Sequence, residues 1–574
     1  MLYPQNNRFR QFIELSGFWD FRFDFDDKGL SNNWGKGFES GQPIAVPASW
    51  NEQFAEIRDF LGPAWYQTHF NLPWGWDKHR VFIRFNSVNY LAEVWLNDEK
   101  IGQHEGGHLP FEFDITSQIK KEGNHLVVRV DGNLTTDRVP PADHNLLLAN
   151  YPPTNFDFYP FCGIQRPVLL YSIPNEAIID LTINTLIENA NGNVNVKLVR
   201  TDGKSVKAQF NLKGHGKNIS TEIVMENQIA EAVLKVPNAA FWAPGSPNLY
   251  NLTIELSRNG TPFDSYSLPI GIRTIAVEGD QLLLNGKPIY LLGFGRHEDF
   301  PVIGRGLMPA VIIKDYSLMQ WIGANSFRTS HYPYSEQMMD LADQLGILII
   351  DETPAVGLTF HKTVFDRHLE LCKQYIKELI ARDKNHPSVI MWSLANEPHQ
   401  SINAKMFFEQ LYDLAKKLDS TRPTTFVNSH IGEERSFKFC DIVIVNRYYG
   451  WYLERGKMDK ACDLLSKELD KLHKKYAKPI ILGEFGAGAI PGWHANPPEM
   501  WSEEYQVEFL TEYIKVAKSK PFVVGQHVWN LCDFKTPQHD RRMGGINYKG
   551  VFTRDRRPKM AAHHLRKLWS KNVE

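Results

Sequence analysis

Residues 389–398, Val-Ile-Met-Trp-Ser-Leu-Ala-Asn-Glu-Pro, decide the fold. The run is apolar almost throughout, without the alternation of a half-exposed strand. That is the pattern of a parallel strand covered on both faces. Its polar end, Asn396-Glu397-Pro398, reads as the exit from the strand. Working outward, the same pattern recurs. Strands are predicted to begin near Ile289, Asn325, Ile347, Val389, Thr424, Asp441, Pro479 and Val523. Amphipathic helical stretches lie between most of them, among them 311–323, 336–346, 374–383, 405–419 and 505–519. Eight strand–helix units predict a C-terminal (β/α)8 barrel over residues 275–574.

Upstream the texture is different. Segments such as 79–88 (HRVFIRFNSV), 90–102 (YLAEVWLNDEKIG) and 124–132 (NHLVVRVDG) alternate apolar and polar residues between Asn, Asp and Gly turns. They predict a jelly-roll-like β-sandwich over 1–178, closed by 164–174. A second set, including 193–200, 207–214, 231–237 and 249–257, predicts an immunoglobulin-like β-sandwich over 179–274. The fold class is therefore multidomain, β plus α/β.

Composition narrows the function. Lys and Arg number 64 against 66 Asp and Glu, so 64 − 66 gives a formal charge of −2. There is no basic excess for nucleic acid or for an anionic membrane. No apolar run approaches the roughly 18 residues of a membrane helix. The five cysteines are scattered, with no Cys-x-x-Cys spacing, which speaks against a disulfide framework or a zinc site. With no secretory signal in MLYPQNNRFRQF, a cytoplasmic location is expected. Sequons at Asn133, Asn218 and Asn251 then carry no meaning.

In such a barrel, catalytic groups project from the C-terminal ends of the strands. Polar residues collect there: Arg296-His297-Glu298-Asp299, Arg328-Thr329-Ser330-His331, Asp351-Glu352, Asn396-Glu397, Asn446-Arg447-Tyr448-Tyr449, Gly483-Glu484 and Trp529-Asn530. Singly, each has a structural reading. Asp351 and Glu352 are candidates to cap the next helix. His297 reads as a hydrogen-bonded barrel histidine, and Arg328 as a buried partner for a carboxylate. Together they crowd charge at one mouth, which costs desolvation and repulsion that a structural barrel has no reason to incur. Glu397 and Glu484, ending the fourth and seventh strands, would face each other across it. Paired carboxylates about 5–5.5 Å apart perform retaining glycoside hydrolysis. An ionised Glu484 is expected to raise the pKa of Glu397, leaving Glu397 as the acid. Metal and organic cofactors are not required.

These motifs resemble glycoside hydrolase family 2 over essentially the whole chain. Asn396-Glu397-Pro398 resembles the family's acid/base motif, and Glu484 its nucleophile. Within the family, the runs 291–299 (LLGFGRHED), 328–334 (RTSHYPY), 378–393 (ELIARDKNHPSVIMWS), 446–452 (NRYYGWY) and 500–506 (MWSEEYQ) resemble the bacterial β-glucuronidases. Asn547-Tyr548-Lys549 resembles that group's Asn-x-Lys motif for the C6 carboxylate of glucuronic acid. The resemblance implies further substrate contacts from Asp157, His331, Asn396, Tyr448, Tyr452, Trp529 and Arg542. Asn396 would hold the sugar 2-hydroxyl, and Tyr448 would hydrogen-bond the nucleophile. Asp157 would bring the first domain into the site.

There are departures. The stretch 540–550 (DRRMGGINYKG) is one residue longer than the usual spacing, which leaves Arg541 and Arg542 as alternatives for the arginine. Phe485 stands where Tyr is common. The segment between Glu352 and Val364 is short, predicting an open site that takes bulky aglycones or short uronic oligosaccharides. The implied activity is retaining exo-hydrolysis of β-D-glucuronides, from glucuronide conjugates or uronic-acid-terminated saccharides, by a homo-oligomer. A β-galacturonidase or dual-specificity uronidase shares the carboxylate and stays open. A non-catalytic carbohydrate-binding protein is the alternative from another class.

Overall fold

The computed structural model describes residues 1–145, 147, 149–201, 203–432 and 434–569. Residues 570–574 of the C-terminal segment lie outside the described residues. Eight strands close a barrel in sequence order: Leu291–Gly295, Ser326–Arg328, Leu348–Glu352, Val389–Asn396, Thr424–Asn428, Val443–Asn446, Ile480–Phe485 and Val523–Val528. All neighbours pair in parallel, and the last strand pairs with the first. Each begins within two residues of the position read from the sequence. Every residue of the fourth strand is buried, which is why its sequence does not alternate.

Helices fall between the strands. The sequence reading started one of them at residue 374, but it spans Phe365–Asp383. His368, Leu369, Cys372, Tyr375, Ile376 and Leu379 form its buried stripe at helical spacing, so tertiary burial extends it toward the N-terminus. The helix Met458–Tyr476 was not singled out in the sequence. Its stripe, Ala461, Leu465, Leu469 and Leu472, is interleaved with charges. Before the barrel, strands Ile275–Glu278, Gln281–Leu284 and Lys287–Pro288 form a small antiparallel sheet. Leu282 and Leu284 pack with Leu291, Leu348, Ile350 and Ile390, closing the N-terminal end of the barrel with apolar side chains.

The N-terminal part is a sandwich of a six-stranded and a four-stranded antiparallel sheet. Alternation works there as expected: Val81, Ile83 and Phe85 of Arg80–Phe85 point into its core beside Leu126, Val128 and Val130. The middle part stacks a three-stranded on a four-stranded antiparallel sheet, from Ile178–Glu188 to Thr261–Ile270. The contact that matters for function is one long connection, after strand Asn124–Asp131, that leaves the first sandwich and crosses the barrel mouth. Its backbone is tied there: Tyr151 and Gln538 exchange hydrogen bonds at 3.1 and 2.7 Å, and Tyr159 N donates to the Lys535 carbonyl at 3.0 Å. Asn155 Nδ2 donates to the Gly357 carbonyl at 2.6 Å. Asp157 sits between these anchors.

Candidate active site

The C-terminal ends of the strands surround a cavity of about 500 Å³. Asp157, His331, Asn396, Glu397, Tyr448, Tyr452, Glu484, Trp529, Arg542 and Lys549 all line it. Asn547 does not line it. Asn547 is buried behind the wall, where its Nδ2 donates to Asp157 Oδ2 at 2.8 Å and its Oδ1 accepts from the Lys549 backbone at 3.1 Å. In this structure it sets the positions of Asp157 and Lys549.

At the floor, Arg328 ends the second strand fully buried. Its Nη1 donates to both oxygens of Glu352 at 2.6 and 2.8 Å, and its Nη2 donates to Glu484 Oε1. His331 Nδ1 lies 2.9 Å from Glu352 Oε1, and its Nε2 lies 3.5 Å from Glu484 Oε1. Ser393 donates to Glu352 at 2.8 Å. Arg328 and these donors outweigh burial and hold the Glu352 carboxyl below its usual range. Arg328 is thus a carboxylate partner, as the sequence reading favoured. Glu352 and Asp351 do not cap the next helix, whose first turn carries no side-chain cap. Asp351 instead accepts from Thr329 at 3.1 Å, and burial together with Asp383 pushes its carboxyl well up. His297 also follows its structural reading: Nδ1 lies 3.0 Å from the Tyr332 hydroxyl, and burial drives its pKa well down, so it is neutral.

The two facing carboxylates have unlike surroundings. Glu484 is 4% exposed and receives the Arg328 guanidinium on one oxygen and the Tyr448 hydroxyl, at 2.7 Å, on the other. Glu397 accepts from Asn446 Nδ2 at 2.7 Å, a neutral amide, and is only half-buried. Its φ of 47° is a left-handed conformation that a non-glycine residue rarely adopts, and it turns the chain out of the strand. The sequence reading places an upward pKa shift on Glu397. In the structure burial pushes the Glu484 carboxyl above its ordinary range, with Arg328 and His331 opposing and Glu397 adding to it. The asymmetry that separates the pair is therefore one of partners: a cation and a hydroxyl for Glu484, an amide and open space for Glu397. Asn446 bridges the pair's surroundings, donating also to Asn396 Oδ1 at 3.2 Å. In the sequence Asn446 is only one polar residue at a strand end, and nothing there ties it to Glu397.

The opposite wall is cationic. Lys549 is 2% exposed, and Nζ donates to the Tyr452 hydroxyl at 2.7 Å. Among the described residues it has no carboxylate partner; the rings of Tyr452, Tyr448 and Trp451 lie 4.7, 5.4 and 5.5 Å away. Burial, with Arg542 nearby, draws its pKa below the usual lysine value. Both arginines of the long 540–550 stretch line the cavity, and Arg542 is the one tied into its wall. Its Nε and Nη2 grip Asp157 at 2.8 and 2.6 Å, and Nη2 donates to Tyr452 at 2.9 Å. Arg541 reaches the same cavity, but its guanidinium is exposed and makes no ion pair among the described residues. Burial would raise the Tyr452 hydroxyl, yet the two cations outweigh it and lower its pKa. Trp529 stacks on His331 with ring centres 5.0 Å apart and forms a flat apolar side of the cavity.

A carboxylate held by a cation, a second carboxylate facing open space and a stacking indole define a glycosidase pocket on a (β/α)8 barrel. Residues 12–174 match the family "Glycosyl hydrolases family 2, sugar binding domain", 176–273 match "Glycosyl hydrolases family 2", and 275–573 match "Glycosyl hydrolases family 2, TIM barrel domain". The chain belongs to glycosyl hydrolases family 2. It is 39% identical to a β-glucuronidase of Sus scrofa over 100% of this chain and 92% of that one. It is 38% identical to a β-glucuronidase of Paenibacillus borealis over 100% and 99%. Among solved structures, a β-glucuronidase of an uncultured Clostridium species superposes with a TM-score of 0.93 at 39% identity over 100% of both chains. A β-glucuronidase of Ruminococcus gnavus in complex with D-glucuronic acid gives 0.93 at 36% over 99% of both.

Proposed function

We propose that the chain is a retaining exo-glycosidase that hydrolyses β-D-glucuronides to glucuronic acid and the aglycone. The observation that carries this reading is Lys549: a buried ammonium on the cavity wall with no carboxylate partner among the described residues. Burying a cation unpaired is costly, and the carboxylate of a uronic acid would complete the pair. A neutral hexose would leave it unsatisfied. Arg542 and Asn547 hold Asp157, which leaves Asp157 one face toward the sugar hydroxyls.

In the proposed reaction Glu484 attacks the anomeric carbon while Glu397 protonates the leaving oxygen. Arg328 and Tyr448 aim the attacking carboxylate and oppose the upward push of burial on its pKa. Once Glu484 is a glycosyl ester its charge is gone, and Glu397 takes a proton from the water that cleaves the ester. Asn396 and Asn446, joined by their side chains, flank the sugar 2-hydroxyl and orient Glu397. Val356 and Gly357 form the short rim where a longer segment would cover the mouth. This supports acceptance of bulky aglycones or uronic saccharides. Better kcat/KM on small aryl glucuronides than on such substrates would count against it. The reading includes a bacterial, cytoplasmic enzyme that assembles as a homo-oligomer; the five free thiols, four of them buried, support a reducing compartment.

The test is hydrolysis of p-nitrophenyl β-glucuronide, β-galacturonide, β-glucoside and β-galactoside, with Glu484→Ala as the blank. Glucuronide is expected to lead by at least about a decade, from a charge-assisted hydrogen bond of roughly 1.5–3 kcal/mol. A leading galacturonide keeps the carboxylate clamp and changes the sugar. A leading neutral sugar removes the role of Lys549.

A further inference from the structure

A second cavity, of about 360 Å³, opens where the immunoglobulin-like sandwich meets the N-terminal end of the barrel strands. Arg273, just past the last sandwich strand, lines it together with Asn184, Asn195, Ser420 and Arg422. Arg273 is 6% exposed. Its Nε donates to the Pro387 carbonyl at 3.1 Å and its Nη2 to the Val389 carbonyl at 2.8 Å. These bonds tie the exit of the sandwich to the start of the fourth barrel strand. They leave Nη1 without an acceptor among the described residues, and it is not sealed from the cavity.

A guanidinium this deeply buried ordinarily has a carboxylate. Among the described residues Arg273 has none. The nearby Asp419 is taken: its Oδ2 accepts from Arg422 at 2.7 Å and from Trp392 at 2.9 Å, and its Oδ1 from the Thr421 backbone and hydroxyl at 2.8 and 2.6 Å. Burial, with Arg422 adding to it, draws the Arg273 guanidinium down to about 9. The remaining wall mixes aliphatic side chains, among them Ile183, Leu186, Ile270 and Ile275, with neutral polar groups. Asn184 and Asn195 face each other across paired strands, and their side chains, like that of Ser420, make no hydrogen bond among the described residues.

We propose that this cavity is an anion site that takes a small tetrahedral oxyanion, a phosphate or sulfate group, on Arg273 Nη1 with Asn184, Asn195 and Ser420 as neutral donors. The physical reason is the one that applies to Lys549: a buried cation on a cavity wall that lacks a carboxylate partner among the described residues. Donors from two strands and a separate loop surround a group with oxygens in several directions better than they do a planar carboxylate. The site is distinct from the catalytic mouth. Val389 begins the fourth strand at this end, and Glu397 follows its last residue at the other. An anion here does not compete with substrate.

The test is thermal unfolding of the full chain in phosphate, sulfate, acetate and chloride at matched pH and ionic strength. Phosphate or sulfate is expected to raise Tm saturably, by about 2–4 °C over chloride. Sulfate also stabilises proteins by exclusion from the surface, an effect that does not saturate, so a variant supplies the control. Asn195→Asp places a fixed carboxylate in the cavity and should abolish the saturable rise while hydrolysis continues. Arg273→Gln should abolish it too, and Asn195→Asp carries the test if that variant folds poorly. No saturable rise over chloride, or the same rise in Asn195→Asp, overturns the site. A rise in acetate as large as in phosphate overturns the tetrahedral class.

Discussion

Lys549 and Tyr452 show how single residues set specificity. The ammonium is held by one phenol and three aromatic faces, and no carboxylate among the described residues answers its charge. Lys549→Ala should lower kcat/KM on p-nitrophenyl β-glucuronide by about one to two decades, as expected for a charge-assisted hydrogen bond of roughly 1.5–3 kcal/mol. The glucuronide-to-glucoside ratio should collapse with it; a preserved ratio would falsify the clamp. Tyr448 acts on the other side of the sugar. Its hydroxyl lowers the pKa of Glu484, while burial raises it. Glu484 must be ionised to attack, so activity is lost as pH falls through its raised pKa. Removing the phenol in Tyr448→Phe raises that pKa further. The acid limb of the kcat/KM profile should move to higher pH, measured against the same limb in the unaltered enzyme.

At the scale of the element, the second and third barrel strands end in a buried network with Arg328 at its centre. Glu352 and Glu484 share this one guanidinium, and His331 and Ser393 complete it. Removing one partner of a buried ion pair typically costs about 3–5 kcal/mol, because it leaves an uncompensated charge. Arg328→Ala should therefore lower the urea midpoint as well as activity. The pH dependence should also change sign for the Glu352 contribution. With Arg328 present the carboxyl is depressed, so its stabilisation is present above the unfolded pKa and lost as pH falls through the folded one. Without the cation, burial raises the folded pKa, and stability is lost as pH rises from the unfolded pKa. Urea unfolding of the variant from about pH 4 to pH 7 should show declining stability where the unaltered chain holds or gains. Parallel profiles would mean that Glu352 finds another cation.

The whole molecule makes the site composite. Asp157 reaches the barrel mouth from the first sandwich and is gripped by Arg542 and Asn547 of the barrel. Asp157→Ala would release both and leave Arg542 and Lys549 as adjacent buried cations repelling each other. We expect a loss of about a decade or more in kcat/KM on glucuronide, on the scale of a hydrogen bond to a charged group. The loss should be accompanied by little change in Tm, because the carboxylate is itself about half exposed. A large fall in Tm with activity per folded molecule intact would make Asp157 a domain staple instead. The N-terminal sandwich is, on this account, part of the pocket wall.

Strand order, barrel class and the strand-end positions of Glu397 and Glu484 were legible in the sequence, because a buried parallel strand leaves an unbroken apolar run and its polar end stands out. VIMWSLA followed by Asn396-Glu397 carries that information within ten residues, and strand starts shifted by no more than two. Lys549 stands out only through the resemblance of Asn547-Tyr548-Lys549 to a family motif; by local pattern alone it reads as a solvated loop lysine. What local pattern could not supply is everything that depends on which side chains meet. Asn547 reads as a ligand group beside Lys549, yet the fold turns it behind the wall onto Asp157, almost four hundred residues away in the chain. Glu352 and Asp351 read equally well as helix caps until the barrel closes and brings Arg328, His331 and Asp383 against them. The upward pKa shift on Glu484 was decided the same way, by burial against Arg328, both of which exist only after closure. Apolar periodicity is a property of neighbours along the chain. Charge pairing and desolvation are properties of neighbours in space, and only the tertiary structure decides those.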